Sequence, residues 1–229
     1  MALTFKGATL AFNIVDWKAW TPAHNDAPDV SIIPAMLRRR LSPLGRAALS
    51  VIMPLAQTHG AMPLVYVSRH GDLNRTLGLL EDMAKSEPLS PTAFSLSVHN
   101  ATAGLFSIQQ GLTSNITAIS GGAEELVPAL LEALGLCSEQ TPQVLCVFCD
   151  EPTPAIYQHQ AAQPAHAYAV ALVVGMGSEL QLDHVGPAAS ATNSEEPQSL
   201  QLLRLLQGDV ESIALAHNRS SWQLRRCLA

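Results

Sequence analysis

Apolar residues along the chain alternate between short solid runs and three-to-four spacing, and each change of period marks an element. Leu3–Phe12 is a β-rich opening segment. Asp16–Val30 gathers Pro, Asn, Asp and Ala and reads as a loop anchored by Trp17 and Trp20. Ile32–Arg40 has helical composition. Ser42 supplies an N-cap and Pro43 a first helical residue for a second helix, kinked at Pro54 and stopping near Gly60. Pro63–Ser68 is a short buried strand. Asp72 caps a helix whose Leu73, Leu77, Leu80 and Met83 share a face. Phe94–Gln110 is apolar and rich in small residues, as a tightly packed helix would be.

Asn115–Ile119 is a short strand that runs into the turn Ser120-Gly121-Gly122, and Leu126, Val127, Leu130, Leu131 and Leu134 then form a wide apolar helix face ended by Gly135. Val144–Cys149 and His166–Val174 are solid apolar strands. This order implies an α/β fold with a mixed, mostly buried sheet of five strands covered by helices. Past Gly177 the pattern weakens to an edge strand at Glu179–Val185, a loop at Gly186–Pro197 and a Leu-rich helix at Gln198–Leu206. Ser212–Ala216 fits one last strand or a short helix. No repeat or linker divides the chain, so residues 1–229 are expected to form one domain, with 178–229 a divergent C-terminal extension.

Composition narrows the function classes. With 48% of residues apolar and 14% charged, the chain can bury a large core and is a poor candidate for disorder. A net charge of −6, and no basic run beyond Arg38-Arg39-Arg40, argue against a nucleic-acid partner. Lys6 and Asn13 interrupt the amino-terminal apolar residues, and Ala167–Met176 is far too short to span a bilayer. A cytoplasmic protein with reduced cysteines is the expectation, with no membrane insertion.

Residues 91–125, PTAFSLSVHNATAGLFSIQQGLTSNITAISGGAEE, carry Asn100, Ala103-Gly104, Ser107-Ile108 and Gly111 ahead of a strand, a sharp turn and a buried helix. This run resembles the approach to the active site in the β-ketoacyl-acyl-carrier-protein synthases of the thiolase superfamily. Asp150-Glu151-Pro152 after a buried strand, and the returning strand at Ala167–Val174, extend the resemblance over roughly residues 1–177. More narrowly, the chain is similar to the short "chain length factor" proteins that accompany synthases of aryl-polyene-type pathways. The resemblance implies a thiolase-like half-fold and, as partner, a full-length β-ketoacyl synthase in a heterodimer, with acyl carrier protein met through the complex.

A condensing enzyme needs a thiolate for the growing acyl chain and basic groups for malonyl decarboxylation. In the family the cysteine sits at the N-terminus of the buried helix. A gapless reading from Asn100 puts Ala123 there, and a slip of one or two residues offers Gly121, Gly122 or Glu124. No cysteine precedes Cys137 and the only lysines are Lys6, Lys18 and Lys85, so the nucleophile and the bases are both missing from their places. Glu124 and Glu125 suit a helix N-terminus but would oppose a thiolate. No cofactor is required, because a thioester substrate carries its own activation. The resemblance also places Asn115, Ile116, Thr117, Ala118 and Ile119 at the dimer axis, where proline at Thr117 is expected to break assembly. It brings Phe94, Leu96, Phe106 and Ile108 near the partner's acyl tunnel, with Phe94 the preferred gate.

Other signals read as structural. Cys146 and Cys149 point to opposite faces of a strand, so they are expected in the core rather than on a metal. Asp150, Glu151, His159 and His166 lack metal-site spacing. Gly175-x-Gly177 has no third glycine and is expected to be a turn. Ser120-Gly121-Gly122 is expected to be a tight turn rather than a nucleophile elbow, and His99 is expected to be a packed or interface side chain. Arg38–Arg40 is either a solvated face or a contact for an acidic carrier. Two other functions stay open: a stand-alone acyltransferase or condensing enzyme using an unrecognised nucleophile such as Cys137, and a homodimeric scaffold that binds acyl carrier protein.

Overall fold

The computed structural model describes residues 7–21, 27–157, 163–187 and 196–227. Its first strand, β1 (Thr9–Trp20), continues through the first part of the stretch expected to be a loop. A bulge between Ile14 and Asp16 shifts its register while it stays paired to the last long strand of the core, which outweighs the low strand propensity of Asp16. Next come α1 (Ala35–Arg38) and α2 (Pro43–His59), the latter capped by Ser42 Oγ accepting from Gly45 N at 3.1 Å and continuing past Pro54. The strand β2 (Leu64–Val67) is buried throughout, and α3 (Leu73–Ala84) starts at Asp72, whose carboxylate accepts from Arg75 N at 3.2 Å.

The single helix expected over Phe94–Gln110 is two, α4 (Pro91–Ser95) and α5 (Ala101–Gln110). Ser95 Oγ and Ser97 Oγ donate back to the carbonyls of Thr92 and Phe94 at 2.9 and 2.8 Å, the kind of competing local bond that ends a helix. There follow β3 (Ile116–Ile119), α6 (Leu126–Leu136), β4 (Gln143–Asp150) and β5 (Tyr168–Met176). Gly177 closes the next turn, where any side chain would overlap the Asn13 amide, whose Oδ1 accepts from Glu179 N at 3.0 Å. The chain ends in β6 (Leu180–Pro187), α7 (Gln198–Gln207), β7 (Ser212–His217) and β8 (Ser220–Arg226).

The eight strands among the described residues form one sheet, in the order β3-β2-β4-β5-β1-β6-β8-β7, and this corrects the expectation of five. β2 runs parallel to β3 and β4, and every other pairing is antiparallel. The strand expected at the edge, β6, is interior, between β1 and β8. Ser212–Ala216 is a strand, and it turns into the unforeseen β8 through Asn218 and Arg219, both at positive φ as a two-residue hairpin requires. Alternate residues of β4 and β5 feed two cores. Val144, Cys146, Phe148, Val170 and Leu172 meet α6 and α7, while Leu145, Val147, Cys149, Ala169 and Ala171 meet α2 and α5. The extension therefore helps cover α6, with Leu202, Leu205, Ile213, Leu215 and Leu224 in the same cluster as Leu126, Val127 and Leu130.

Candidate functional site

The parallel strands β2, β3 and β4 all end on one side of the sheet, the side on which parallel α/β sheets place their sites. Three turns converge there. Asp150 Oδ1, ending β4, accepts from Ser68 Oγ at 2.9 Å and from Arg69 N at 2.8 Å. Ser68 Oγ accepts in turn from Gly71 N at 3.0 Å, and Ser120 Oγ donates to the Arg69 carbonyl at 2.7 Å. His99 Nε2 lies 2.8 Å from the Ser68 carbonyl, which can only accept, so the ring carries its proton on that nitrogen. It is a packed side chain, edge-on to Tyr66. Gly71 is required beside it: φ is +60° and a Cβ would come within 3.0 Å of His99 Cα.

Beneath the turns lies a cluster that pattern reading missed. Arg69, Glu125, Asp150, Tyr168 and Ser199 are all buried. Arg69 Nε sits 3.7 Å from Glu125 Oε2 and 3.7 Å from Asp150 Oδ2 and makes no hydrogen bond. The Tyr168 hydroxyl lies 3.2 Å from Glu125 Oε1 and 3.3 Å from Asp150 Oδ2. Ser199 Oγ donates to Glu125 Oε1 at 2.7 Å. One guanidinium cannot neutralise two desolvated carboxylates. Burial, and then the charge of Glu125, push the Asp150 carboxyl up to about 7. Glu125 is raised by its burial, against the pull of Ser199 and Arg69. Desolvation also raises the Tyr168 phenol, so the hydroxyl stays a donor between the acids. The members are far apart in sequence. The available signal was a charged residue directly after each of two solid apolar runs, Arg69 after LVYVS and Asp150 after VLCVFC.

Ala123 is exposed on the turn that leads into α6. The two residues that follow it hold the C-terminal extension rather than serving the helix dipole alone. Glu124 Oε2 accepts from Asn218 N at 2.7 Å, in the β7–β8 turn, and Glu125 holds the start of α7 through Ser199. Gln198 completes the clasp, accepting from Leu126 N at 3.2 Å and donating to the Ala216 carbonyl at 2.9 Å.

The remaining sequence candidates separate. Ile116, Thr117, Ala118 and Ile119 form the sheet's β3 edge, paired among the described residues to β2 alone, and the carbonyl of Asn115 just before them accepts from Leu64 N at 3.0 Å. Phe94 and Ile108 are 65% and 76% exposed, whereas Leu96 and Phe106 are buried in the chain's own core. Phe106 also lines a cleft of about 190 Å³ at the opposite, N-terminal ends of β2 and β4, with Met62, Gln110 and Leu145. Cys146 and Cys149 are fully buried on opposite faces of β4, and burial pushes both thiols up. Glu151 accepts from Asn74 Nδ2 at 2.7 Å and His166 is exposed, while His159 lies outside the described residues. Among the described residues no three His, Cys, Asp or Glu side chains gather as a metal site. No helix among them is long and apolar enough to cross a membrane.

The family described as β-ketoacyl synthase, N-terminal domain, matches residues 15–224. The chain belongs to this family. A chain from the complex of the ketosynthase ApeO with its chain length factor ApeC, from Xenorhabdus doucetiae, is similar at a TM-score of 0.81 and 28% identity. That match covers 95% of this ketoacyl-synthase-like chain and 100% of the other. A β-ketoacyl synthase from Burkholderia phymatum shares the fold at a TM-score of 0.51 and 14% identity, over 67% of this chain and 47% of that one. No curated protein sequence matches the chain. The architecture is a thiolase-like α/β fold carried on the eight-stranded sheet.

Proposed function

We propose that this chain is a chain length factor: a catalytically silent subunit that pairs with a full-length β-ketoacyl synthase and shapes its acyl tunnel. The observation that carries the reading is the match, along nearly the whole chain, to a chain of a ketosynthase–chain length factor complex. Local chemistry agrees. Ala123 stands where the family's nucleophile is expected, and Cys137, the thiol nearest to it in sequence, is half-buried and raised by desolvation. That weakens a stand-alone enzyme based on Cys137. The β3 edge offers its unpaired side to the synthase, and Phe94 and Ile108 give that partner exposed apolar bulk. Of the four candidate gate residues Phe94 is the gate we propose. Its side chain would limit how many two-carbon units fit before a further methylene overpacks the tunnel.

On this reading the two proteins form a heterodimer in the cytoplasm, in an aryl-polyene-like elongation pathway. Acyl carrier protein serves the complex rather than this chain alone, and no cofactor takes part. Residues 1–229 act as one unit whose extension, 178–229, covers α6. Co-expression with the synthase, followed by size analysis and product analysis by mass, tests the proposal. A one-to-one complex that alone makes product is expected. Condensation or malonyl decarboxylation by the purified chain without a synthase would overturn it.

A further inference from the structure

The clasp at the start of α7 holds more acid than its one cation can balance. Pro197 precedes α7, and no side chain at that position caps the helix. The cap comes from α6 instead: Glu125 Oε1 accepts from Ser199 N at 3.3 Å and from Ser199 Oγ at 2.7 Å. A helix N-terminus favours an ionised carboxylate, so this seat suits Glu125 as an anion. Asp150 stands opposite, and Arg69 is the one cation paired with either carboxylate among the described residues. The Tyr168 hydroxyl, 3.2 Å from Glu125 Oε1 and 3.3 Å from Asp150 Oδ2, has a single proton to give. Given to Glu125, it leaves the phenol oxygen facing Asp150 Oδ2, and that contact is a hydrogen bond only when Asp150 carries a proton there. Asp150 Oδ1 is already an acceptor, from Ser68 Oγ and Arg69 N. The matched arrangement runs one way, Asp150 donating to Tyr168 and Tyr168 to Glu125, with Ser199 donating from the far end.

We propose that this chain of groups is a proton-operated latch: one proton on Asp150 locks α7 onto α6, and its loss leaves α7 held by apolar contacts alone, free to open while the central strands stay paired. Without that proton two carboxylates share one guanidinium and one phenol proton. Asp150 is fixed by the turn after β2, so the repulsion falls on Glu125, whose withdrawal gives up Ser199. Burial and the charge of Glu125 raise the Asp150 carboxyl to about 7, and opening of α7 lessens both causes. The proton therefore contributes fully below the ordinary value of 3.8, and its contribution is lost as pH rises to about 7. Glu125, raised by its burial, acts in the same direction. Around the cluster stand Glu124 and His217, 3.9 Å apart at the β7–β8 turn, Glu151 on Asn74, Cys149 on Tyr66, and His99 on the Ser68 carbonyl. Asp72 and Arg75 pair with each other, and His70 is exposed. Of these His217 belongs to the extension and is the rival switch. The inference does not depend on the pairing proposed above, since its test needs no synthase.

The test is hydrogen exchange of the full chain, read by mass from about pH 5 to about pH 8, with each peptide referred to its exchange in the unfolded chain at the same pH. Peptides of α7 are expected to exchange ahead of those of β4 and β5, as a local opening requires. Their protection should fall by up to about tenfold per pH unit as neutrality is approached, the limit for one linked proton, and level off above it. Asp150→Asn keeps a donor toward Tyr168 and takes up no proton, so it should abolish the slope. Glu125→Gln keeps an acceptor for Ser199 and removes the neighbouring charge, and should flatten the slope as well. His217→Gln should leave it as in the parent. Protection of α7 that tracks the central strands, or that does not change with pH, would overturn the proposal. So would a slope that survives either acid substitution, or one that disappears with His217→Gln.

Discussion

The two edges of the sheet are built differently. At one end β3 is four residues long and parallel to β2, with Ile116, Thr117 and Ile119 half-buried and Ala118 exposed. At the other, β7 buries Ile213, Leu215 and Ala216, exposes Ser212 and Ala214, and is half of a tight hairpin with β8. Even an outward carbonyl of β7, that of Ala216, is taken by Gln198 Nε2 at 2.9 Å. Leu64 N bonds the Asn115 carbonyl at 3.0 Å and Ser68 N bonds that of Ile119 at 3.2 Å, so Asn115, Thr117 and Ile119 turn their polar groups toward β2. By the alternation of a strand, the N–H and C=O of Ile116 and Ala118 face outward. An edge that presents unpaired ladder groups is a place for another chain, and an edge closed by its own helix is finished.

The same geometry corrects the choice of test. Proline at Thr117 would remove a donor from the intrachain ladder with β2. Ala118→Pro removes an outward donor instead, and is expected to abolish pairing with the synthase while the chain stays folded, as read by size analysis of co-expressed proteins. Its counterpart at the closed edge, Ala214→Pro, should leave the complex intact. Equal behaviour of the two variants would erase the distinction between the edges.

The closed edge depends on the clasp at Glu125. Glu125→Ala leaves Arg69 with Asp150 alone and removes the acceptor of Ser199, and is expected to lower stability by about 2 kcal/mol in chemical denaturation, as leaving buried polar groups unmet does. A loss no greater than that of an exposed substitution would show that the extension is held by its apolar contacts alone.

The cluster should also make stability depend on pH. Asp150 has a folded pKa of about 7 against an ordinary value of 3.8, so the folded state holds its proton more tightly than the unfolded one. Its contribution is fully present below the unfolded value and is lost as pH rises through the window up to about 7. Glu125, also raised, acts in the same direction. Asp16, Asp29 and Asp183, all lowered, oppose this only in acid, below the usual carboxylate range. Melting temperature should therefore fall as neutrality is approached from the acid side, and Asp150→Asn should flatten that slope.

Phe94→Ala carries the smallest expected effect on stability, under about 0.5 kcal/mol for a mostly exposed side chain. In the co-purified complex it should shift products toward longer chains. Phe106→Ala, a core truncation, should instead cost about 3–5 kcal/mol.

The regions legible in the sequence were those whose pattern is set locally. Ser42-Pro43 and Asp72 marked their helix starts, and the solid apolar runs at Val144–Cys149 and Ala167–Val174 marked the central strands. The end of β1 was hidden because Asp16 and Lys18 lie in a strand held by its pairing with β5. The strand β8, SSWQLRR, buries only Leu224 deeply and carries no apolar run to announce it. Resemblance alone assigns Ala123 to the place expected of the nucleophile. The buried cluster was not legible, since it joins Arg69 just past β2, Glu125 just before α6, Asp150 of β4 and Tyr168 of β5, and is completed by Ser199 of α7 once the extension folds over α6.

The proposed silence of this chain is tested most directly by intact mass of the co-purified complex after incubation with an acyl thioester substrate. The account predicts an acyl adduct on the synthase and this chain at its unmodified mass. An adduct on this chain, lost on substitution of one of its four cysteines, would contradict it.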